Sequence, residues 1–295
     1  MTTAAAFRAA IEAAGMVPPH ELEPGRLVRF PGIDKRKGDA GWAVLFPDGK
    51  GGSFGCWATG LKSSWFPARS TPMTITEKAE HRRHVEAAQA AARAQRAAGH
   101  TLAAARARRL WKAAGPAPDD HPYLIAKCIR PYGARIHLGA LVLPVQTFAG
   151  RLSSLQFIGA DGRKILLRGG AKRGRFIRVS GGLKDPALVL VAEGFASGAT
   201  LAEDDASATV LASIDCGNLT RIAIAARRRW PDAEIIVCGD DDRLTDGNPG
   251  RTAAIAAARA ARARVAFPQW PDGCPDGLSD FNDLARWLHT RRVAA

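Results

Sequence analysis

Apolar positions change their spacing along the chain, and the changes predict distinct regions. Residues 1–14 read as a short amphipathic helix, stopped by Gly15 and the Pro18-Pro19 pair. Between residues 25 and 70, short apolar runs (LVRF, GWAVLF, SFGCWA) are separated by Gly and Pro clusters. They predict strands, with FPDGKGG as a hairpin turn, in a small module that holds Trp42, Trp57 and Trp65. Residues 76–113 are rich in Ala and Arg and free of Pro, which predicts a long helix that buries little. Its HRRH stretch (81–84) reads as an exposed basic face. GPAPDDHP (115–122) is a turn signal, and residues 136–180 are β-rich, with Asp161-Gly162 marking a hairpin.

From residue 185 the pattern becomes regular. ALVLVA (187–192), ATVLAS (208–213), EIIVC (234–238) and RVAF (264–267) are short, nearly continuous apolar runs. Between and after them lie helical segments at 196–204, through Trp230, at 250–263 and at 279–289, the last with Ser279 as its expected cap. Strand–helix alternation with unbroken apolar strands implies a parallel sheet covered on both faces. The predicted class is α/β, with four parallel strands in a C-terminal domain at 185–295. Ahead of it come a Trp-rich α+β module (1–75), a basic helical connector (76–114) and a basic β-rich subdomain (115–184).

At 46% hydrophobic and 24% charged residues the chain is too apolar to be disordered. Its apolar runs are too short to span a bilayer, and Arg8 and Glu12 interrupt the N-terminal stretch where a signal peptide would be uniformly apolar. No membrane association and a cytoplasmic location are expected. None of the five cysteines lies in a CxxC pair, so neither a disulfide scaffold nor a zinc ribbon is expected.

Charge sharpens this picture. The net charge of +14 suggests a polyanionic partner. Residues 151–184 carry nine basic side chains against one acidic, whereas residues 185–295 carry 12 against 16. The basic run alternates with apolar residues, as a strand face aimed at phosphate would. Trp57 and Trp65 are equally consistent with stacking on bases and with packing, whereas Trp42 is expected in the core.

In a parallel sheet the site lies beyond the carboxyl ends of the strands. Glu193 follows the first strand, Asp240, Asp241 and Asp242 the third, and Asp280 and Asp283 the fourth. Carboxylates distant in sequence are thus expected on one sheet edge. Such a cluster raises its own pKa values unless a cation neutralises it, and hard oxygen ligands suit Mg²⁺ or Mn²⁺. A receiver-like phosphorylation site would need a Lys after a late strand, which RVAFPQW lacks. GNPGRT is a poor phosphate loop, with Thr245 and Arg251 at the Gly and Lys positions, and is expected to be a plain turn into a helix.

VLVAEGFASGATLAE followed by IIVCGDDD resembles the Toprim signature, a Glu after one strand and Asp-x-Asp after another. The likeness is to the Toprim primases of plasmids, phages and integrative elements, the conjugative type among them. It is carried by HPYL (121–124), LVLPV (141–145), GRLSSLQFIGADGRK (150–164), CGNL (216–219), GNPGRTAA (247–254) and SDFNDL (279–284), and covers roughly residues 115–290. The N-terminal GWAVLFPDGKGGSFGCW is similar to a segment of conjugative primases. The resemblance implies a DNA primase making short RNA primers on a single-stranded DNA template from NTPs, with a separate replicative helicase as a further partner. It implies that Glu193, Asp240 and Asp242 are catalytic and bind Mg²⁺ or Mn²⁺, with Asp280 as a further ligand ahead of Asp283. Asp241 would face the other way. Lys164 and Arg168 would meet template or nucleotide phosphates, assisted by Lys172 and Arg173. A metal-dependent nuclease on the same scaffold uses the same acids, and a non-catalytic single-stranded DNA-binding protein is a further alternative.

Overall fold

The computed structural model describes residues 3–67 and 74–294. The side chains of His81 and of residues 292–294 also lie outside the description. The chain divides into two compact units, Met1–Ala98 and Gly99–Ala295.

The first unit opens with α1 (Thr3–Ala13). An antiparallel four-stranded sheet follows, formed in sequence order by β1 (Leu27–Phe30), β2 (Gly41–Leu45), β3 (Gly52–Cys56) and β4 (Leu61–Trp65). One face of β2 and β3 packs Ala43, Leu45 and Phe54 against Phe7 and Ile11 of α1. The sequence pattern had not predicted β4: LKSSW alternates with polar residues in place of an apolar face, and its pairing with β3 makes the strand. Trp42 is buried. Trp57 stacks on it with ring centroids 6.3 Å apart, and Trp65 lies 5.7 Å from the Phe7 ring. The long helix α2 (Ile75–Ala113) starts in this unit and ends in the next. Its small alanines are what it buries, Ala88 and Ala92 early and Ala103 and Ala107 late.

The second unit is organised by one ten-stranded sheet. Its elements in chain order are β5 (Gly115–Pro116), α3 (Pro122–Lys127), β6 (Arg135–His137), β7 (Ala140–Gln146), β8 (Leu152–Ile158), β9 (Lys164–Leu166) and β10 (Phe176–Ser180), then β11 (Leu188–Ala192), α4 (Phe195–Asp204), β12 (Thr209–Ala212), α5 (Cys216–Arg229), β13 (Glu234–Cys238), α6 (Pro249–Ala261), β14 (Arg264–Ala266) and α7 (Phe281–Ala294). The strand order is β14-β13-β11-β12-β10-β7-β6-β5, with β8 pairing β7 and β9. The four strands β14, β13, β11 and β12 are parallel, as the apolar runs predict. β10 then runs antiparallel to both β12 and β7, so the basic β region and the parallel region share one sheet.

Alternate side chains of the parallel strands enter two cores. Leu190, Ala192, Val210 and Ala212 pack with Phe195, Ala199 and Tyr123 on one face. Val189, Val191, Leu211 and Val237 pack with Leu219, Ile222, Ala254 and Ala257 on the other. Burying one such Val or Leu contributes about 1.5–3 kcal/mol. A third cluster joins Ala107, Leu110 and Trp111 of α2 to Val142, Leu155 and Leu167. The 115–122 turn signal yields β5 and the entry to α3. Among the described residues, no helix is long and apolar enough to cross a membrane.

Candidate active site

The parallel strands end together, and each hands its chain to a loop on the same edge. β11 delivers Glu193, β13 delivers Gly239 and then Asp240–Asp242, and the loop after β14 ends in Asp280 at the start of α7. A backbone bond from Asp241 N to Ser279 O, 2.7 Å, ties the last two loops together.

The three consecutive aspartates have different surroundings. Asp241 is buried and accepts hydrogen bonds from Asn248 Nδ2 (2.8 Å), Trp270 Nε1 (3.0 Å) and an Arg251 guanidinium nitrogen (3.1 Å). Burial pushes its pKa up, but these donors outweigh burial and hold it below the usual carboxylate value. Asp242 accepts from Gly250 N at 2.9 Å. A Cβ on Gly250 would lie 2.8 Å from Asp242 Oδ2 and 2.9 Å from the Asp240 carbonyl oxygen, so only glycine lets the GNPG turn come this close. That turn serves the acids: Asn248 Oδ1 accepts from Asp242 N at 2.9 Å and caps α6 through Arg251 N at 3.2 Å.

Asp240 Oδ1 is buried and has no hydrogen-bond partner. Burial, followed by the charges of Glu193, Asp280 and Asp242, pushes the Asp240 carboxyl up to about 8, against the opposing pull of Lys164. Glu193 is also raised, by burial first and then by Asp242, while the Cys216 backbone N–H and Lys164 pull it down. The carboxylates therefore share one electrostatic neighbourhood. Among the described residues, however, no three Asp, Glu, His or Cys side chains already form a metal-ligand group.

Asp280 has a fixed place in the fold. Its Oδ1 accepts from Asp283 N at 2.8 Å, making it the cap of α7. Ser279, the expected cap, instead donates its backbone N–H to Asp283 Oδ2 at 3.3 Å. Asp283 also takes Lys127 Nζ at 3.5 Å, so its carboxylate is occupied within the fold.

The basic residues separate in the same way. Lys164 opens β9, and a Cβ on Gly194 would lie 3.7 Å from its Nζ, which sets the ammonium beside the Glu193 turn. Arg168 and Arg173 are exposed on turns beyond β9. Lys172 is paired with Asp215, which stands at the start of α5 directly beyond β12. Asp215 had not been singled out from the sequence, although the strand-end rule that finds Glu193 also points to it. Its charge raises Glu193. Asn218 of the CGNL stretch is buried and ties the Lys172 loop to α5. It donates to Arg175 O (2.7 Å), Ser213 O (2.9 Å) and Lys172 O (3.3 Å), and accepts from Gly174 N (2.8 Å).

The Toprim domain family matches residues 188–287. DNA primase TraC of Escherichia coli is 34% identical over 231 residues, which is 73% of this chain and 21% of that protein. A second Escherichia coli protein of the same name is 35% identical over 167 residues, 52% of this chain and 11% of the relative. The chain thus spans about a fifth or less of the length of these relatives. The primase fragment of the bacteriophage T7 primase-helicase overlaps 91% of this chain and 98% of its own, at a TM-score of 0.44 and 16% identity. Glu193 and Asp240-x-Asp242 stand at the ends of adjacent parallel strands, within residues 188–287, the stretch that is similar to the Toprim domain family.

Proposed function

We propose that this chain is the catalytic region of a DNA primase, making short RNA primers on single-stranded DNA by Mg²⁺- or Mn²⁺-dependent nucleotidyl transfer. The observation that carries this reading is the meeting of Glu193, Asp240 and Asp242 with the Lys164 ammonium on one sheet edge. The similarity to two proteins named DNA primase supports it.

The residues fit a hard divalent cation. All the candidate ligands are carboxylate oxygens, and Asp240 Oδ1 is buried without a donor, a costly state for a polar atom. Glu193, Asp240 and Asp242 would hold the ion, with Asp280 contributing through the oxygen its helix cap does not use. When bound, the ion supplies charge stabilisation at the α-phosphate and activates the attacking 3′-hydroxyl. The protein's own part is placement. Lys164 draws an anionic nucleotide or template phosphate to the Glu193 turn, and Asn218 keeps the basic loop 172–175 in position. Glu193 would also take the hydroxyl proton as the new P–O bond forms and pyrophosphate leaves. Arg168 and Arg173 give a longer-range positive field for the template. A separate helicase would expose that template, and the reaction would run in the cytoplasm.

The test is to incubate the full chain with labelled single-stranded DNA, NTPs and Mn²⁺ or Mg²⁺. New ribonucleotide oligomers are the expected product. Shortened DNA without synthesis would make the chain a nuclease built on the same acids, and DNA binding indifferent to divalent ions would make it a non-catalytic carrier.

A further inference from the structure

The HPYL stretch carries a buried group for which the proposed reaction gives no use. His121 shapes the start of α3: its Nδ1 accepts from Tyr123 N at 3.2 Å, so Nε2 carries the proton and donates to Gly139 O at 3.2 Å. Pro122 takes the first helical position, where its missing N–H costs nothing. The Tyr123 side chain is thereby locked into the core at 3% exposure, yet its hydroxyl has no hydrogen-bond partner. An unpaired buried O–H is destabilising on its own, and a phenylalanine would fill the same space without it.

The position of this hydroxyl gives it a use. The ring lies beneath the Asp161-Gly162 turn of the β8–β9 hairpin, since a Cβ on Gly162 would be 3.8 Å from Tyr123 Cδ2. Gly162 has φ +79°, and this turn leads directly into Lys164. On its other side α3 is fastened to the first turn of α7. Asn282 Nδ2 donates to Lys127 O at 2.7 Å and to Thr200 Oγ1 at 3.0 Å, and Lys127 Nζ reaches Asp283. Tyr123 is four residues before Lys127 and so shares its helix face. That face is turned to the first turn of α7, where Asp280 is the cap.

We infer that the Tyr123 hydroxyl is a positioning residue for Asp280, donating to the carboxylate oxygen left over from the helix cap and aiming it at the Glu193–Asp240 edge when the site is loaded. A tyrosine hydroxyl is protonated, and so a donor, at working pH. A carboxylate that must both cap a helix and serve a cation gains from a second donor that fixes its plane.

The inference rests on the reading of this edge as a divalent-cation site, and the experiment separates the two. Mn²⁺ binding to the full chain is measured by titration calorimetry for wild type, Tyr123→Phe, Asp280→Asn, the double variant and Asp240→Asn, together with the melting temperature of each metal-free protein. The expected result is that Tyr123→Phe melts at or above wild type yet binds Mn²⁺ about 10-fold more weakly. The double variant should bind no worse than Asp280→Asn alone, because the hydroxyl acts through that carboxylate. Wild-type Mn²⁺ affinity in Tyr123→Phe, a loss matched by a lower melting temperature, or additive effects in the double variant would each overturn the role of Tyr123 while Asp240→Asn still abolished binding. Full Mn²⁺ binding by Asp240→Asn would instead overturn the cation site itself, and the inference with it.

Discussion

The two halves of the ten-stranded sheet present charge in opposite ways. In the parallel half the acids stand at strand ends, where Asp241, Asp242 and Asp280 are held by hydrogen bonds while Asp240 Oδ1 is left without a partner. Asp241 has three donors, Asp242 has the Gly250 N–H, and Asp280 is bonded into a helix cap. In the antiparallel half the cations ride on a short strand and its turns, and Arg168 and Arg173 point to solvent. Lys164 and Lys172 bring two of these cations to the acids, one beside Glu193 and the other on Asp215. The difference separates two tasks. A cation site requires oxygens fixed to a fraction of an ångström, whereas recruiting a polyanion requires positive potential with little geometric precision.

The contrast can be broken most severely at Asp240. Asp240→Asn should lower primer synthesis by about 10²–10³-fold or more, comparable to removing a direct electrostatic contact to a transition state. Binding of single-stranded DNA should persist or strengthen, as a filter-binding titration beside the synthesis assay would reveal. Synthesis at the wild-type rate would falsify the placement of the reaction at this edge.

The neighbouring Asp241 should behave as a structural residue. Asp241→Ala strands the donors of Asn248 and Trp270 and should cost about 1–3 kcal/mol in denaturant unfolding. An unchanged midpoint, with synthesis lost, would show that Asp241 has a chemical role and that the two faces of the triplet are wrongly assigned.

On the basic half the effects should be smaller and graded. Lys164→Ala should weaken nucleotide or template affinity several-fold, most visibly at low salt where the field is least screened. Arg168→Ala should weaken it less, because no fixed contact is lost. Equal losses at both positions would mean that recruitment depends on total charge alone.

A pH slope of opposite sign is expected for neighbouring aspartates. The folded-state value of Asp240, about 8, is above the unfolded value of about 3.9. Its contribution to stability is therefore complete below pH ~3.9 and is lost as pH rises towards ~8. Asp241, held low, contributes above its unfolded value and loses that contribution as pH falls through its folded one. The metal-free protein should melt at a lower temperature at pH 8 than at pH 5, and Asp240→Asn should flatten this slope. A slope that survives the substitution would assign it to another group.

The parallel half was readable from the sequence because its strands are unbroken apolar runs and its acids follow them directly. Glu193 and Asp240–Asp242 could be placed on one edge from strand order alone. β4 could not, because a strand such as LKSSW is made by the partner it pairs with. The loads on Asp280 and Lys172 were also hidden. Each depends on a hydrogen bond or ion pair with a group whose position is set only after the backbone has closed. Asn218 shows the same limit: CGNL is visible as a pattern, but three of its four bonds reach a loop more than 40 residues earlier in the chain.

The pairing of β10 with both β12 and β7 bears on how this chain can be cut. A protease or an expression boundary between Ser180 and Leu188 would fall where the charge changes sign and the sequence suggests a domain border. Separating the pieces there would strip β12 of its antiparallel partner and leave two naked strand edges, each a template for aggregation. The acidic and basic pieces should therefore be insoluble when produced apart, and should recover only when made together.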